Sequence, residues 1–438
     1  MRLEWTNKDL LLLARGERDY AWAGRDEPLP SAEAVPVLNV DQATEETWSN
    51  LVACGDAFDV LSALGRGKTP ALERGSIRLL YIDPPFNTGK GWFGDYNDAL
   101  QSAMWLSMIR DRLEAVVPYL APDASIWLHL DDSEIHRARC VLDEVFGRDA
   151  YVATVIWQKR TTRESRSAFS TNHDNILVYA PCGPKTWKQR RNLLTKDSAD
   201  LRNRDSDPRG PWADAPFTAP GYRANQQYEI VNPAGKTLRP PRGRSWYATE
   251  PTYRQLLADD RIWFPSGGRG NPRLKLFAHQ IRGLVPFSVW NSTETATNDD
   301  AKRHLLNLFP SAEDIFATPK PEELLERIIH IATDPGELVA DLFAGSGSTV
   351  STAHKMSRRW LAVERSVDTA RDILHPRLFK VVSGSDPGGI TEQYGWTGGG
   401  SYRVVQVKPG IGRVKTLRMP SPLVVGDKRT EGARRAVS

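Results

Sequence analysis

The stretch "LVADLFAGSGST", Leu338–Thr349, decides the fold class. "LVAD" is a short apolar run closed by an acid, the pattern of a buried strand that stops at Asp341. Gly345-Ser346-Gly347 then predicts a tight turn, because glycine adopts positive φ at little cost and lets a ligand approach the backbone. A helix beginning near Ser348 would offer its free N–H groups to that turn. Reading outward, "RWLAVE" (Arg359–Glu364) is the next strand, and Glu364 closes it. An acid roughly 20 residues beyond such glycines is where α/β folds hold ribose hydroxyls. A dinucleotide site would want a third glycine at the place of Val350. The pattern therefore points to an adenosine ligand without pyrophosphate, such as S-adenosylmethionine. Asp341, Phe343, Gly345, Gly347, Ser348, Thr349 and Glu364 are the candidate cofactor residues.

The same theme recurs upstream. "SNLVACGDAFDVLSALGRG" reads as a strand, a turn at Gly55-Asp56 and a helix ending near Gly65. In "DASIWLHLDDSEIHRARCVLDEVFG", Ile126, Leu128 and Leu130 alternate as in a strand, and Ile135, Ala138, Val141, Leu142 and Val145 follow at helical spacing. Strands alternating with helices predict an α/β, Rossmann-like fold on a mixed, mostly parallel sheet. Two motif-like stretches have plain structural readings. "GRGKT" (Gly65–Thr69) lacks the first glycine and the following helix of a phosphate loop. The histidines and acids of "HLDDSEIH" (His129–His136) fit a strand end capping the next helix, so no metal is expected.

A second stretch carries the chemistry. "YIDPPFNTG", Tyr81–Gly89, follows the apolar run "SIRLL" and stops a strand at Asp83. Pro84 and Pro85 fix φ, remove two donors and bias the residues before them away from the helical region. A carboxylate, a carbonyl and an aromatic ring are thereby held at one strand end with little freedom. Asp83, Pro84, Pro85 and Phe86 are the candidate catalytic residues.

Bulk properties set the frame. A chain of 438 residues, 40% hydrophobic and 26% charged, has the composition of a soluble globular protein with two or three domains. The apolar run Leu10–Ala14 is far too short for a membrane span, and the first thirty residues mix acids, bases and prolines. Cys54, Cys140 and Cys182 fit neither a disulfide framework nor a thiolate metal site, which predicts a reducing cytoplasm. Net charge is +4, but residues 185–285 carry 19 Lys+Arg against 9 Asp+Glu. The expected organisation is an irregular extension over 1–45, a catalytic half over 46–184, a basic insert over 185–290, a cofactor half over 291–381 and a tail over 382–438 with one hairpin at "SYRVVQVKP".

"DPPF" at 83–86, the basic insert and "DLFAGSGST" at 341–349 come in an order that resembles a known family, as do "NLVACGDAFDVL", "STNHDNILVYA", "WNSTETATNDDAKRHL" and "TPKPEELLERII". The chain looks like a β-class amino-methyltransferase of DNA, of the adenine-specific kind found as modification subunits of type III restriction–modification systems. The resemblance covers roughly residues 45–380, with "TPKP" where the family has "TQKP". It implies S-adenosylmethionine as methyl donor and N6 of a flipped-out adenine in duplex DNA as acceptor. It also implies that the insert recognises the target, that Asp56 caps the cofactor adenine amine, that Glu364 takes the ribose, and that Thr318 and Lys320 lie near the methionine end. A separate restriction subunit and a second copy of the chain join DNA as expected partners. Cytosine N4 as acceptor, or a DNA-binding regulator with a degenerate site, are the alternatives.

Overall fold

Asn50–Cys54, Ile77–Ile82 and Leu338–Asp341 are buried at every residue. Buried runs of this kind, apolar apart from Asn50, Arg78 and Asp341, suit strands covered by helices on both faces. In the computed structural model they lie inside a ten-stranded sheet. The structure describes residues 2–16, 19–27, 31–40, 50–66, 71–87, 98–195, 201–277, 283–310, 316 and 318–410. Lys68 of the phosphate-loop lookalike, Thr88-Gly89 and the polar end beyond Gly410 lie outside the described residues.

We number the strands of this sheet along the chain: β1 Glu33–Val40, β2 Asn50–Cys54, β3 Ile77–Ile82, β4 Leu120–Leu130, β5 Tyr151–Gln158, β6 His173–Tyr179, β7 Val289–Trp290, β8 Leu338–Asp341, β9 Arg359–Glu364 and β10 Tyr402–Lys408. Their order across the sheet is β7-β5-β6-β4-β3-β8-β9-β2-β10-β1. Strand β6 is antiparallel to both neighbours and β1 is antiparallel to β10; the other pairs are parallel. The centre of the sheet, β4-β3-β8-β9-β2, is therefore wholly parallel. Helices α1 (Ala57–Leu64), α2 (Asp98–Val116), α3 (Glu322–Ala332) and α4 (Ser348–Lys355) supply the covering layers.

Both ends of the chain depart from expectation. The N-terminal segment is not irregular: Leu10–Ala14 and Tyr20–Gly24 form an antiparallel hairpin. Buried arginines of α2 hold it, Arg110 donating to the Leu10 carbonyl at 2.7 Å and Arg112 to the Leu12 carbonyl at 3.0 Å. The expected C-terminal hairpin is instead the single strand β10, inserted between β2 and β1. Six of its seven residues are buried. "YRVVQV" reads as alternating, but both of its faces and both of its edges are used.

Residues Leu193–Pro286 form a second compact unit, narrower than the 185–290 expected, because the helix Pro184–Arg190 belongs to the first. This unit holds a three-stranded antiparallel sheet, two short ladders and the helix Glu250–Ala258 around Phe217, Ile230, Trp246 and Tyr253. Much of its basic excess is spent internally. Lys275 is buried among Asp205, Asp207 (3.1 Å) and Asp260 (2.9 Å), and Arg209 pairs with Asp207 at 2.6 Å. Arg204 and Arg273 share Asp214. Arg223, Lys236 and Arg242 are exposed and form no ion pair among the described residues.

Candidate active site

Strands β3 and β8 are parallel neighbours in a register that pairs Tyr81 with Asp341. Two acid-bearing strand ends far apart in sequence, Asp83 and the Asp341 turn, thus stand side by side at the carboxyl edge of the sheet. That edge is where open α/β sheets bind ligands.

The Asp83 end is rigid. Trp105 of α2 donates its indole N–H to the Pro85 carbonyl at 2.6 Å, and Pro84 is buried. Phe86 stacks on His129 with ring centroids 6.1 Å apart and planes 22° from parallel. His129 is fully buried on β4 and is locked in turn: Tyr81 Oη lies 2.9 Å from Nδ1 and Asp174 Oδ2 lies 3.1 Å from Nε2. Burial pushes the His129 pKa down, and the Lys320 charge adds to this, so the ring is neutral. Burial alone would raise Asp174, but the hydrogen bond from His129 and the charges of Lys320 and Lys159 hold it well below the ordinary range. An ionised Asp174 accepts from Nε2–H, which leaves Nδ1 to accept from the Tyr81 hydroxyl.

Lys320 completes this end. Its ammonium donates to both Asp83 oxygens, at 2.9 and 2.8 Å, and lies 5.0 Å from the centroid of Phe86. The side chain expected near a cofactor's methionine end is thus bonded to the candidate catalytic acid.

The glycine turn is built as the spacing predicts. Gly345 has φ +50° and Gly347 has φ +78°, and Gly347 caps α4 in the left-handed conformation. A Cβ on Gly345 would lie 2.7 Å from Phe316, and one on Gly347 would lie 2.4 Å from Leu374 Cδ1. The close approaches at these glycines are thus made by the protein's own side chains, and Gly347 is needed for packing as well as for φ. Glu364 anchors the turn: Oε2 accepts from the Gly345 N–H at 2.8 Å and Oε1 from the Ser366 N–H at 2.7 Å. Ser348 Oγ accepts from buried Arg377 at 2.7 Å, and Arg377 also reaches Glu322 at the start of α3.

Asp341 is fully buried, accepting from the Phe343 N–H at 3.0 Å and from the Thr349 hydroxyl. Burial, helped by the charges of Asp83 and Glu364, pushes its pKa up to about 7. Asp56 does not stand free. It caps α1 through the Phe58 N–H (3.0 Å) and takes Arg112 on both oxygens at 2.8 Å. Burial would raise it, but Arg112 and Arg365 hold it below its ordinary value. Thr318 is exposed two residues before Lys320.

Sequence reasoning missed His129, Asp174, Trp105 and Arg112. The signal for His129 was present in "ASIWLHL", where all seven residues are buried, so that the strand is central and not half-exposed. Arg112 had one too, as a charge among the apolar positions of α2, which calls for a buried partner.

The donor set suits a cationic adenosine ligand. Asp341 and Glu364 each accept a backbone N–H of the turn, and Val350 stands where a dinucleotide loop has its third glycine. A family model for DNA methylases, of the N6/N4 methyltransferase kind, matches residues 77–374. The chain belongs to this family. Among relatives, the StyLTI Mod subunit, a type III restriction–modification enzyme of Salmonella typhimurium, is 29% identical over 369 residues, covering 76% of this chain and 54% of the relative. The type II methyltransferase M.EcaI of Enterobacter cloacae is 27% identical over 312 residues, 69% of this chain and 65% of its own. A solved structure, the PvuII DNA methyltransferase (cytosine-N4-specific), aligns with 80% of this chain and 91% of its own at 14% identity and a TM-score of 0.42. This DNA methylase family member spans about half to two thirds of the length of those curated relatives. Among its described residues no helix is long and apolar enough to cross a membrane.

Proposed function

We propose that this chain transfers a methyl group from S-adenosylmethionine to the N6 amine of adenine in duplex DNA. The observation that carries the reading is the pairing of β3 with β8, which sets the Asp83-Pro84-Pro85-Phe86 end against the Gly345–Gly347 turn. When bound, S-adenosylmethionine supplies an electrophilic methyl on a positively charged sulfur.

The work of the chain is positioning and electrostatics. An exocyclic amine conjugated to a base ring is a poor nucleophile, because its lone pair is delocalised. Asp83 and the Pro84 carbonyl each accept one N–H of that amine, which turns its lone pair toward the methyl. The prolines, Trp105 and His129 keep these acceptors from relaxing. Phe86 stacks on the target base, which must leave the duplex to be reached. Asp341, Phe343, Gly345, Gly347, Ser348, Thr349 and Glu364 hold the cofactor, Glu364 at the ribose and Asp56 toward the adenine. Residues 46–184 and 291–381 act as the two halves of the catalytic domain, and the basic insert as the target-recognition module. Asp in place of the serine more frequent in cytosine enzymes favours adenine. A separate restriction subunit and a second copy of the chain are further proposed partners, in the cytoplasm.

Base-modification sequencing of DNA from cells with and without the gene tests the reading and yields the recognition sequence. N6-methyladenine at one sequence, lost in Asp83→Ala while S-adenosylmethionine and DNA still bind, is the expected result. N4-methylcytosine overturns the acceptor, and full activity of Asp83→Ala overturns the mechanism.

A further inference from the structure

The two groups assigned to the target base are already engaged. Asp83 accepts two hydrogen bonds from the Lys320 ammonium, at 2.9 and 2.8 Å, and the same ammonium sits 5.0 Å from the Phe86 centroid. An exocyclic amine bonded to Asp83 with its ring on Phe86 would have to occupy that place. Both cannot be there together, because the ammonium lies over the Phe86 ring at a distance within the roughly 4.5–7 Å at which the centroid of a stacked base would sit.

Something has to give way, and the framework shows what. Asp83 ends a fully buried strand and is followed by two prolines. Phe86 is backed by His129, which is held from both ring nitrogens. Lys320, by contrast, reaches Asp83 through a flexible four-carbon stem. Resting on the proposed methyl-transfer reading, we propose that Lys320 holds the place of the target amine and makes base entry selective. It leaves Asp83 only for a base that brings N–H donors of its own. The amino edge of adenine replaces the donors that Asp83 loses. A base with a bare C–H or a carbonyl at that position would strand a partly buried carboxylate without donors, an exchange that costs far more than an ordinary hydrogen bond is worth. Lys320 is thus a specificity-determining residue acting through Asp83, not a group that touches the reacting atoms.

The experiment uses the full chain without S-adenosylmethionine, so that any role of Lys320 in cofactor binding does not enter. Two duplexes carry the mapped methylation sequence and differ only at the target, adenine in one and purine without the 6-amino group in the other. Lys320→Met keeps the stem and removes the donors. It should tighten the adenine duplex about tenfold, the scale of one charge-assisted hydrogen bond, and leave the purine duplex within about twofold. An adenine duplex bound equally or more weakly by Lys320→Met overturns the proposal. If that variant does not fold, the wild-type chain labelled with 15N at lysine Nζ decides. The protected ammonium signal of the Lys320–Asp83 pair should vanish with the adenine duplex and persist with the purine duplex, and identical behaviour with both overturns the proposal. Failure here with a methylated sequence still mapped in cells removes only the role of Lys320. Absence of any mapped methylation removes the methyl-transfer reading itself.

Discussion

Asp341→Asn isolates one buried charge whose energetic effect can be worked through. The Asp341 pKa rises from an ordinary 3.8 to about 7, chiefly through burial. That rise corresponds to a penalty of about 4 kcal/mol on the charged form. The folded state binds the proton more tightly than the unfolded chain does, so stability falls as pH rises from about 4 to about 7 and is flat above. Between pH 5 and pH 8 the wild-type chain should lose about 2.5 kcal/mol from this group alone. Asparagine keeps an oxygen to accept from the Phe343 N–H and cannot ionise. Urea unfolding of both proteins at pH 5 and pH 8 should therefore show the variant gaining about 2.5 kcal/mol on the wild type between the two. Asp59, also raised to about 7 by burial and the Asp56 charge, titrates alike in both proteins and cancels from the difference. A stability difference that stays constant within about 0.5 kcal/mol across this range would refute the reasoning.

Three further outcomes follow from the geometry. Arg112→Met leaves the Asp56 carboxylate buried without its bidentate partner and should cost about 3 kcal/mol in urea unfolding, whereas Arg112→Lys should recover part of it. Gly347→Val combines φ +78° with a Cβ 2.4 Å from Leu374 Cδ1. It should lower the melting temperature as well as cofactor affinity, and adding Leu374→Ala should restore some of the stability but not all of it. Reversing Arg223, Lys236 and Arg242 to glutamate should flatten the dependence of log DNA affinity on log salt by about 2 to 3, close to 0.9 for each phosphate no longer neutralised. An unchanged slope would leave these side chains as solvated charges.

What could be read from the sequence was the local part of the site. The strand that ends at Asp83 and the one that ends at Asp341 each announce themselves, since an apolar run, a breaking residue and a turn lie within a dozen positions. That the two ends are neighbours is a matter of sheet order, which no local period encodes, and it entered through the resemblance of motif order to a family. Pairings that cross the sheet were not legible in any form. Lys320 on Asp83, Arg112 on Asp56 and Asp174 on His129 join residues 237, 56 and 45 positions apart. Their side chains look like ordinary charges until the backbone brings them together. The same limit explains β10, whose alternating letters suggest one dry and one wet face. Its burial comes from β2 and β1 closing on its two edges, and those partners lie more than 350 residues upstream. The insert shows a related limit. A count of charges marks the insert as basic without showing which charges are paired, and Lys275 and Arg209 lie against acids of the same unit. Under the proposed reading, the pairing within the unit and not composition alone sets how many of its charges are free to meet phosphates.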